Sequence, residues 1–108
     1  MGIMSSNKNV HLTFNTNFDK IFETFLNVGC FIGKVKLQSK VSGHIIISCP
    51  MKISKMINPA TLDISISKQN DNTTIVDIIS QSNYDGLVGF SSASRWQQIL
   101  LEEVEKRV

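Results

Sequence analysis

Two histidines and two cysteines are the residues of this 108-residue chain best suited to metal binding or nucleophilic catalysis. His11 and His44 have no cysteine or carboxylate at the spacing of a metal-ligand motif, and a metal site needs several converging ligands. Cys30 and Cys49 form no CxxC pair, although a nucleophile and its base need only be adjacent in space. We expect surface histidines, reduced core thiols, no metal site and no cofactor.

The carboxylates do not form a catalytic pattern either. Asp63 and Asp77 fall on the polar side of two alternating segments, where we expect them to pair with lysines across strands. General acid–base chemistry needs carboxylates with displaced pKa values in a pocket. Gly86 and Gly89 form a GxxG without the Lys-Ser/Thr ending of a phosphate-binding loop. The sequence therefore predicts a protein that is not an enzyme.

Charge is distributed unevenly although the formal net charge is only +2. No acidic residue lies between Glu23 and Asp63, and this stretch contains Lys34, Lys36, Lys40, Lys52 and Lys55. These lysines suit either a solvated strand face that discourages edge pairing or a weak contact surface for anions. Nucleic acid is not favoured, because aromatic residues cluster in one predicted helix and the strands carry aliphatic side chains.

Composition is that of a globular protein. Hydrophobic residues make up 42% of the chain and charged residues 19%. The polar first nine residues lack the apolar core of a signal peptide, and no stretch is long enough to span a membrane. We expect one cytoplasmic domain over residues 1–108, with residues 1–9 frayed or disordered.

The most regular apolar stripe predicts a helix that begins after Thr16 or Asn17 and ends at Gly29. Its apolar positions follow helical spacing: Phe18, Ile21, Phe22, Phe25 and Leu26. Alternation of apolar and polar residues predicts five strands. They cover 10–14, 31–40, 44–49, 62–67 and 73–82. Val35 and Leu37 are expected to point inward, with turns at 42–43 and 69–72.

The chain ends in a predicted amphipathic helix over residues 94–108, whose apolar stripe must cover a sheet or groove. That stripe consists of Trp96, Ile99, Leu100 and Val104. The glycine-punctuated segment before the helix either caps the core or gates a space beneath the helix. Residues 51–59 fit a strand extension, a helical turn or a loop, and could add apolar surface there. The candidate ligand or partner contacts are Tyr84, Leu87, Val88, Phe90, Trp96, Met51 and Met56.

Three segments carry a resemblance to known domains: 16–29 (TNFDKIFETFLNVG), 61–82 (TLDISISKQNDNTTIVDIISQS) and 95–108 (RWQQILLEEVEKRV). They resemble a group of small uncharacterised bacterial domains built as strand, helix, four strands and helix. The order is also similar to a shortened form of the helix-grip domains of the START and pollen-allergen type. Those domains hold apolar ligands between a curved sheet and a long terminal helix, whereas this chain has fewer strands and a last helix of about four turns. No active-site residue carries over from the resemblance.

Together these patterns predict an α+β domain with a five-stranded, mostly antiparallel sheet and two helices packed on one face, in the order β-α-β-β-β-β-α. We interpret the chain as a non-enzymatic module that binds a protein partner or pairs sheet edges in a homodimer. The alternative is a carrier of a small hydrophobic ligand between the sheet and the terminal helix. The lining of such a carrier would be Phe22, Phe25, Val35, Ile64, Ile79, Trp96 and Leu100. A third hypothesis, a cysteine–histidine enzyme, requires a histidine within hydrogen-bonding reach of Cys30 or Cys49.

Overall fold

A computed structural model of the chain describes residues 7–52, 57–82 and 92–108. Its elements are β1 (Asn7–Phe14), α1 (Phe18–Ile32), β2 (Lys34–Ser39), β3 (His44–Cys49), β4 (Ala60–Asn70), β5 (Thr73–Ser82) and α2 (Ser92–Arg107). The five strands form one antiparallel sheet in the order β1-β5-β4-β3-β2. In this order the first strand pairs with the last, and β1 and β2 are the two edges of the sheet. The predicted α+β class and element order are confirmed.

Both helices cover the same face of the sheet, α1 mainly over β2, β3 and β4, and α2 over β5, β4 and β1. Alternate residues of the central strands point into this layer, as period-two patterning requires. The fully buried ones include Ile45, Ile47, Leu62, Ile64, Val76 and Ile78. The other face of the sheet, here called the open face, carries no helix among the described residues. No described helix has both the length and the apolar character needed to span a membrane.

Helix α1 begins as predicted, because the Asn17 side-chain oxygen accepts a hydrogen bond from the backbone N–H of Lys20 at 2.8 Å. Its predicted end at Gly29 is wrong. The helix continues to Ile32, and Gly29 lies buried within it against the side chain of Ile47. A glycine there lets the helix axis approach β3 closely.

Strand β2 is therefore shorter than predicted, and it contains a β-bulge. Val35 pairs with Ile47, but the next paired residue is Leu37, which lies opposite Ile46. The extra residue, Lys36, reverses the inward–outward alternation, so Leu37 faces the open side and is 41% exposed. The predicted inward position of Leu37 is wrong for this reason, whereas Val35 is partly buried against the core.

The turn between β2 and β3 needs glycine. Gly43 has φ of +69°, and a Cβ atom there would lie 1.9 Å from the carbonyl oxygen of Ile66. The Gly43 carbonyl in turn accepts the Ile66 N–H at 2.7 Å. The predicted turns at residues 42–43 and before β5 are both confirmed, the second with the Asn70 side chain accepting the Asn72 N–H at 2.9 Å.

The start of the chain is more ordered than predicted. Residues 7–9 belong to β1 and pair with residues 81–79 of β5, so the expected fraying over 1–9 is wrong for these three. Residues 1–6 lie outside the described part. Helix α2 begins two residues before its predicted start, and its apolar stripe is confirmed, with Trp96, Leu100 and Val104 fully buried.

Candidate binding cleft

Trp96, one of the predicted contacts, is a core residue. Its side chain is 1% exposed, and its indole N–H donates to the carbonyl oxygen of Asn58 at 3.0 Å. The Lys52 ammonium lies 5.8 Å from the centre of the indole ring. Trp96 therefore anchors the segment before β4 to helix α2.

The segment between β3 and β4 forms an isolated antiparallel bridge. Residues 51–59 were predicted to be a strand extension, a helical turn or a loop, and the bridge shows strand-like pairing for two of them. Lys52 and Ile57 exchange two backbone hydrogen bonds, of 2.8 and 3.0 Å. Met51, just before this bridge, is 53% exposed. The remaining predicted contacts, Met56, Tyr84, Leu87, Val88 and Phe90, lie outside the described residues.

The predicted carrier lining is mostly packed core. Phe22, Phe25, Ile64, Trp96 and Leu100 are each at most 2% exposed and belong to one cluster. Ile79 does not belong with them, because it points to the open face and is 48% exposed. Four clefts formed by described residues open to solvent, and none of these four is lined by α2. Apart from Ile79, the predicted lining residues are thus packed together in or against the core cluster.

The aspartates that were expected to pair with lysines pair with the histidines instead. On the open face, His44 Nε2 lies 2.6 Å from Asp63 Oδ1 on the neighbouring strand β4. His11 Nδ1 lies 2.5 Å from Asp77 Oδ1, directly across from it on β5. Sequence spacing could not reveal these pairs, since their members are 19 and 66 positions apart.

The cysteines lie away from both histidines. Cys49 is a buried free thiol on the helix-covered side of β3, and burial raises its pKa to about 12. Cys30 is a free thiol on α1 and is exposed, so its prediction as a core thiol is wrong. His44 points to the opposite face of the strand that carries Cys49, and none of the described hydrogen bonds joins a histidine to a cysteine. Among the described residues, no three His, Cys, Asp or Glu side chains form a group suited to a metal ion.

The largest of the four clefts lies where α1 meets the β2 edge, and we name it the Phe31 cleft. It has a volume of about 460 Å³ and opens to solvent. Its lining residues are Phe31, Ile32, Gly33, Lys34, Lys36, Ser48 and Pro50. Met51 follows Pro50 directly, so the cleft lies next to one of the predicted contact positions.

Phe31 gives the cleft its apolar wall. It lies in the last turn of α1 and is 68% exposed, which is unusual for so large an apolar side chain. The Arg107 guanidinium carbon, at the end of α2, lies 5.5 Å from the centre of the ring. Gly33 shapes the floor, because a Cβ atom there would lie 2.5 Å from the backbone oxygen of Ser48.

Glu103, one turn earlier in α2, holds Arg107 beside the ring. An Arg107 Nη1 atom lies 2.8 Å from Glu103 Oε1. Hydrogen bonds from Arg107 and then Lys106 hold the pKa of Glu103 below its usual value. The Arg107 guanidinium therefore contacts both the Glu103 carboxylate and the face of the Phe31 ring.

Lys34 and Lys36 give the cleft its charge. Both are exposed, and neither forms an ion pair with a described residue. Other lysines do have such partners: Lys40 lies 3.4 Å from Asp19. The cleft therefore combines an apolar wall with two positive charges that the described part of the chain does not neutralise.

The prediction missed the Phe31 cleft because it placed Phe31 in a strand. A signal was present, since Val28 and Ile32 continue the helical spacing of the stripe, and Ile32 lies beyond Gly29. Gly33 would then have been the expected end of the helix.

Comparison with known proteins supports the fold. No protein-family model matches the chain, and no curated protein matches it. It is similar to the crystal structure of a conserved protein from Geobacillus kaustophilus, at 12% identity and a TM-score of 0.51, over 94% of this chain and 91% of that one. A second similar structure is the Zhui aromatase/cyclase from Streptomyces sp. R1128, at 10% identity and a TM-score of 0.42, over 96% and 88% of the two chains. The first similarity shows the fold alone.

Proposed function

We propose that this chain is a non-enzymatic protein-interaction module whose Phe31 cleft binds an extended protein segment with an apolar side chain followed by acidic ones. The observation that carries the proposal is the exposed Phe31 ring beside Lys34 and Lys36, two lysines without carboxylate partners among the described residues. Affinity and selectivity would come from different parts of this arrangement.

The apolar wall supplies affinity. Complete burial of a phenylalanine side chain is worth about 1.5–3 kcal/mol. Most of the Phe31 surface is still exposed. Pockets that bind small molecules have volumes of roughly 300–1,000 Å³, and the volume of the cleft, about 460 Å³, lies in that range. One large apolar side chain of a partner would fit against Phe31, Ile32 and Pro50.

The lysines supply selectivity. An exposed ion pair contributes at most about 1 kcal/mol, so Lys34 and Lys36 would orient an acidic segment rather than hold it alone. The acid-free stretch between Glu23 and Asp63 leaves few carboxylates nearby to compete for them. A partner with basic residues at these positions would be repelled.

The bulge at Lys36 favours recognition through side chains. A strand that added to the edge of β2 would meet an interrupted ladder at this residue. A segment that inserts one side chain beside Phe31 and places carboxylates near the lysines needs no regular ladder.

Fluorescence anisotropy with two synthetic peptides tests the proposal. The probe peptide has the sequence GSFEEDGS, and the matched control GSFQQNGS replaces each carboxylate by an amide. We expect the acidic peptide to bind more tightly, and backbone amide shifts in NMR spectra to change around residues 31–36 and at residues 48 and 49. Equal binding of both peptides, or shift changes elsewhere on the molecule, would contradict the proposal.

Variants make the test specific. Phe31→Ser and the double variant Lys34→Glu/Lys36→Glu should each weaken binding by about tenfold, which corresponds to ~1.4 kcal/mol. Lys20→Glu is the matched control. Lys20 lies on α1, and like Lys34 and Lys36 it is exposed and has no ion pair with a described residue. Circular dichroism checks that each variant is folded. Binding to anionic phospholipid vesicles without binding to the acidic peptide would instead identify a membrane surface.

A further inference from the structure

We infer that β1 pairs in antiparallel register with β1 of a second copy of this chain, with His11 opposite His11 of the partner subunit. Two five-stranded sheets would then form one continuous ten-stranded sheet. This surface lies at the opposite edge of the sheet from the Phe31 cleft and does not depend on the function proposed for that cleft.

The backbone of β1 is suited to such pairing. The strand is eight residues long, contains no proline, and pairs with β5 without interruption from Asn7 opposite Gln81 to Phe14 opposite Thr74. Among the described residues, no strand pairs with its other side. An edge strand offers a row of N–H and C=O groups to a further strand, and native edges that avoid pairing carry bulges, prolines or several charges.

The side-chain pattern of β1 indicates that the partner strand is another β1. A two-fold interface must be self-complementary, and the residue types on the two sides of His11 match: Val10 with Leu12, and Asn9 with Thr13. Directly opposite residues of an antiparallel pair lie on the same face of the sheet. At the centre of this pairing, apolar residues would therefore meet on the helix-covered face and polar residues on the open face, whereas Lys8 would lie opposite Phe14 of the partner subunit at each end.

Burial and charge agree with this register. Val10, Leu12 and Phe14 are only partly buried at the margin of the core, so a second copy would cover more of their apolar surface. Lys8 is the one lysine of β1, which contains no arginine and no acidic residue. At the two-fold axis each His11 is held by the carboxylate of Asp77 on its own sheet.

Disulfide trapping tests the register. In a Cys30→Ser background, which removes the exposed native thiol, we expect His11→Cys to form a covalent dimer on mild oxidation. Opposite Cα atoms in antiparallel strands are about 4.5–5.5 Å apart, within the range of roughly 4.4–6.8 Å that a disulfide spans. Thr13→Cys is the matched control on the same exposed face. The two Thr13 positions would be about 13 Å apart along the strands, because four residues separate Thr13 from its opposite position.

Charge variants test the same pairing without a covalent bond. Asn9→Lys/Thr13→Lys places like charges opposite each other twice in the dimer, whereas Asn9→Glu/Thr13→Lys places opposite charges there. Cross-strand pairs contribute about 0.2–1 kcal/mol each, so we expect the first variant to weaken dimerisation by about threefold or more relative to the second.

Light scattering across a dilution series, on the order of a hundredfold, measures the dimer directly. We expect the apparent mass to rise toward twice the 12.1 kDa of the chain as concentration increases. A mass that stays at 12.1 kDa at every concentration would overturn the inference. So would a dimer in which Thr13→Cys is trapped as readily as His11→Cys, or in which the two charge variants associate equally.

Discussion

The two edges of the sheet differ in how they meet solvent, although they belong to one continuous ladder. β2 carries a bulge at Lys36, has exposed lysines on either side of Val35, and lies beside the exposed Phe31 ring. β1 is uninterrupted and nearly uncharged. Bulges and lysines are the devices that natural sheets use against strand addition. This difference supports the two proposals made above, side-chain recognition at the β2 edge and strand pairing at the β1 edge.

The two helices also pack on different halves of the sheet. α1 packs mainly over the β2 side, and α2 over the β1 side, where buried polar contacts position it. One of these is the hydrogen bond from Ser80 to Gln97, and another joins Trp96 to Asn58. The two helices also pack against each other, and their buried side chains belong to one core cluster.

The largest expected effect concerns the two thiols on the β2 side. Because the thiolate is the reactive form, a pKa raised to about 12 lowers the reactivity of Cys49 on the order of a thousandfold at pH 8 relative to an ordinary thiol. In a Cys30→Ser variant, thiol labelling should report only the opening of the structure around Cys49. Rapid labelling of Cys49 in native protein would show that the β2 side opens locally. The unfolded chain provides the reference rate.

The same thiol predicts a dependence of stability on alkaline pH. The folded state favours the neutral form of Cys49, and this preference contributes to the free energy of unfolding. The contribution is complete below the ordinary pKa near 9.0 and is lost as pH rises from there through the folded-state pKa of about 12. Cys49→Ala should lose this part of the pH dependence in urea titrations, whereas Cys30→Ser should retain it.

Gly43→Ala should be the most destabilising single substitution of those considered, because it strains the turn that holds β2 to β3. The left-handed conformation costs a non-glycine residue roughly 1–2 kcal/mol. The clash of the new Cβ atom with the Ile66 carbonyl adds about 1–3 kcal/mol. We expect a loss of about 3 kcal/mol in the free energy of unfolding, measured with urea. The fully exposed neighbour Val41 provides the control, since Val41→Ala should change little.

Ser80→Ala tests the attachment of α2 on the β1 side. The Ser80 hydroxyl donates to Gln97 Oε1 at 2.9 Å, and both residues are buried. Removing the donor leaves a buried oxygen unpaired, which costs about 1–2 kcal/mol. The double variant Ser80→Ala/Gln97→Met removes both polar groups and should recover part of the loss in the same urea titration. Equal stability of the wild type and Ser80→Ala would show that this bond does not hold the helix.

The smallest expected effect follows deletion of Lys36, which should make the β2 edge resemble the β1 edge. Without this residue the register from Val35 to Leu37 becomes continuous. Each regular cross-strand pair between β2 and an added strand then stabilises their pairing by about 0.2–1 kcal/mol. With two edges able to pair, we expect light scattering to detect species larger than a dimer. Lys36→Ala keeps the bulge and should behave like the wild type, so larger species in that variant would show that charge, not the bulge, protects the edge.

Most of the fold could be predicted because periodicity is a local property of the chain. Alternation correctly located β3 and the β4–β5 hairpin, and helical spacing located both helices. The errors occurred where a tertiary contact overrides a local signal. Gly29 has the sequence character of a helix end, but packing against Ile47 keeps it inside the helix. Leu37 has the alternation of an inward residue, but the bulge turns it outward.

The sequence by itself determined the number, kind and order of the elements, because side-chain periods of 2 and 3.6 residues decide which faces must be buried. Only the tertiary structure decided that the first strand pairs with the last, since that pairing joins residues 60 or more positions apart. It also paired Asp63 and Asp77 with the two histidines and placed Phe31 beside two lysines at the β2 edge. Contacts of this kind depend on register across strands and on how far a helix continues, and neither is encoded within a short window of the chain.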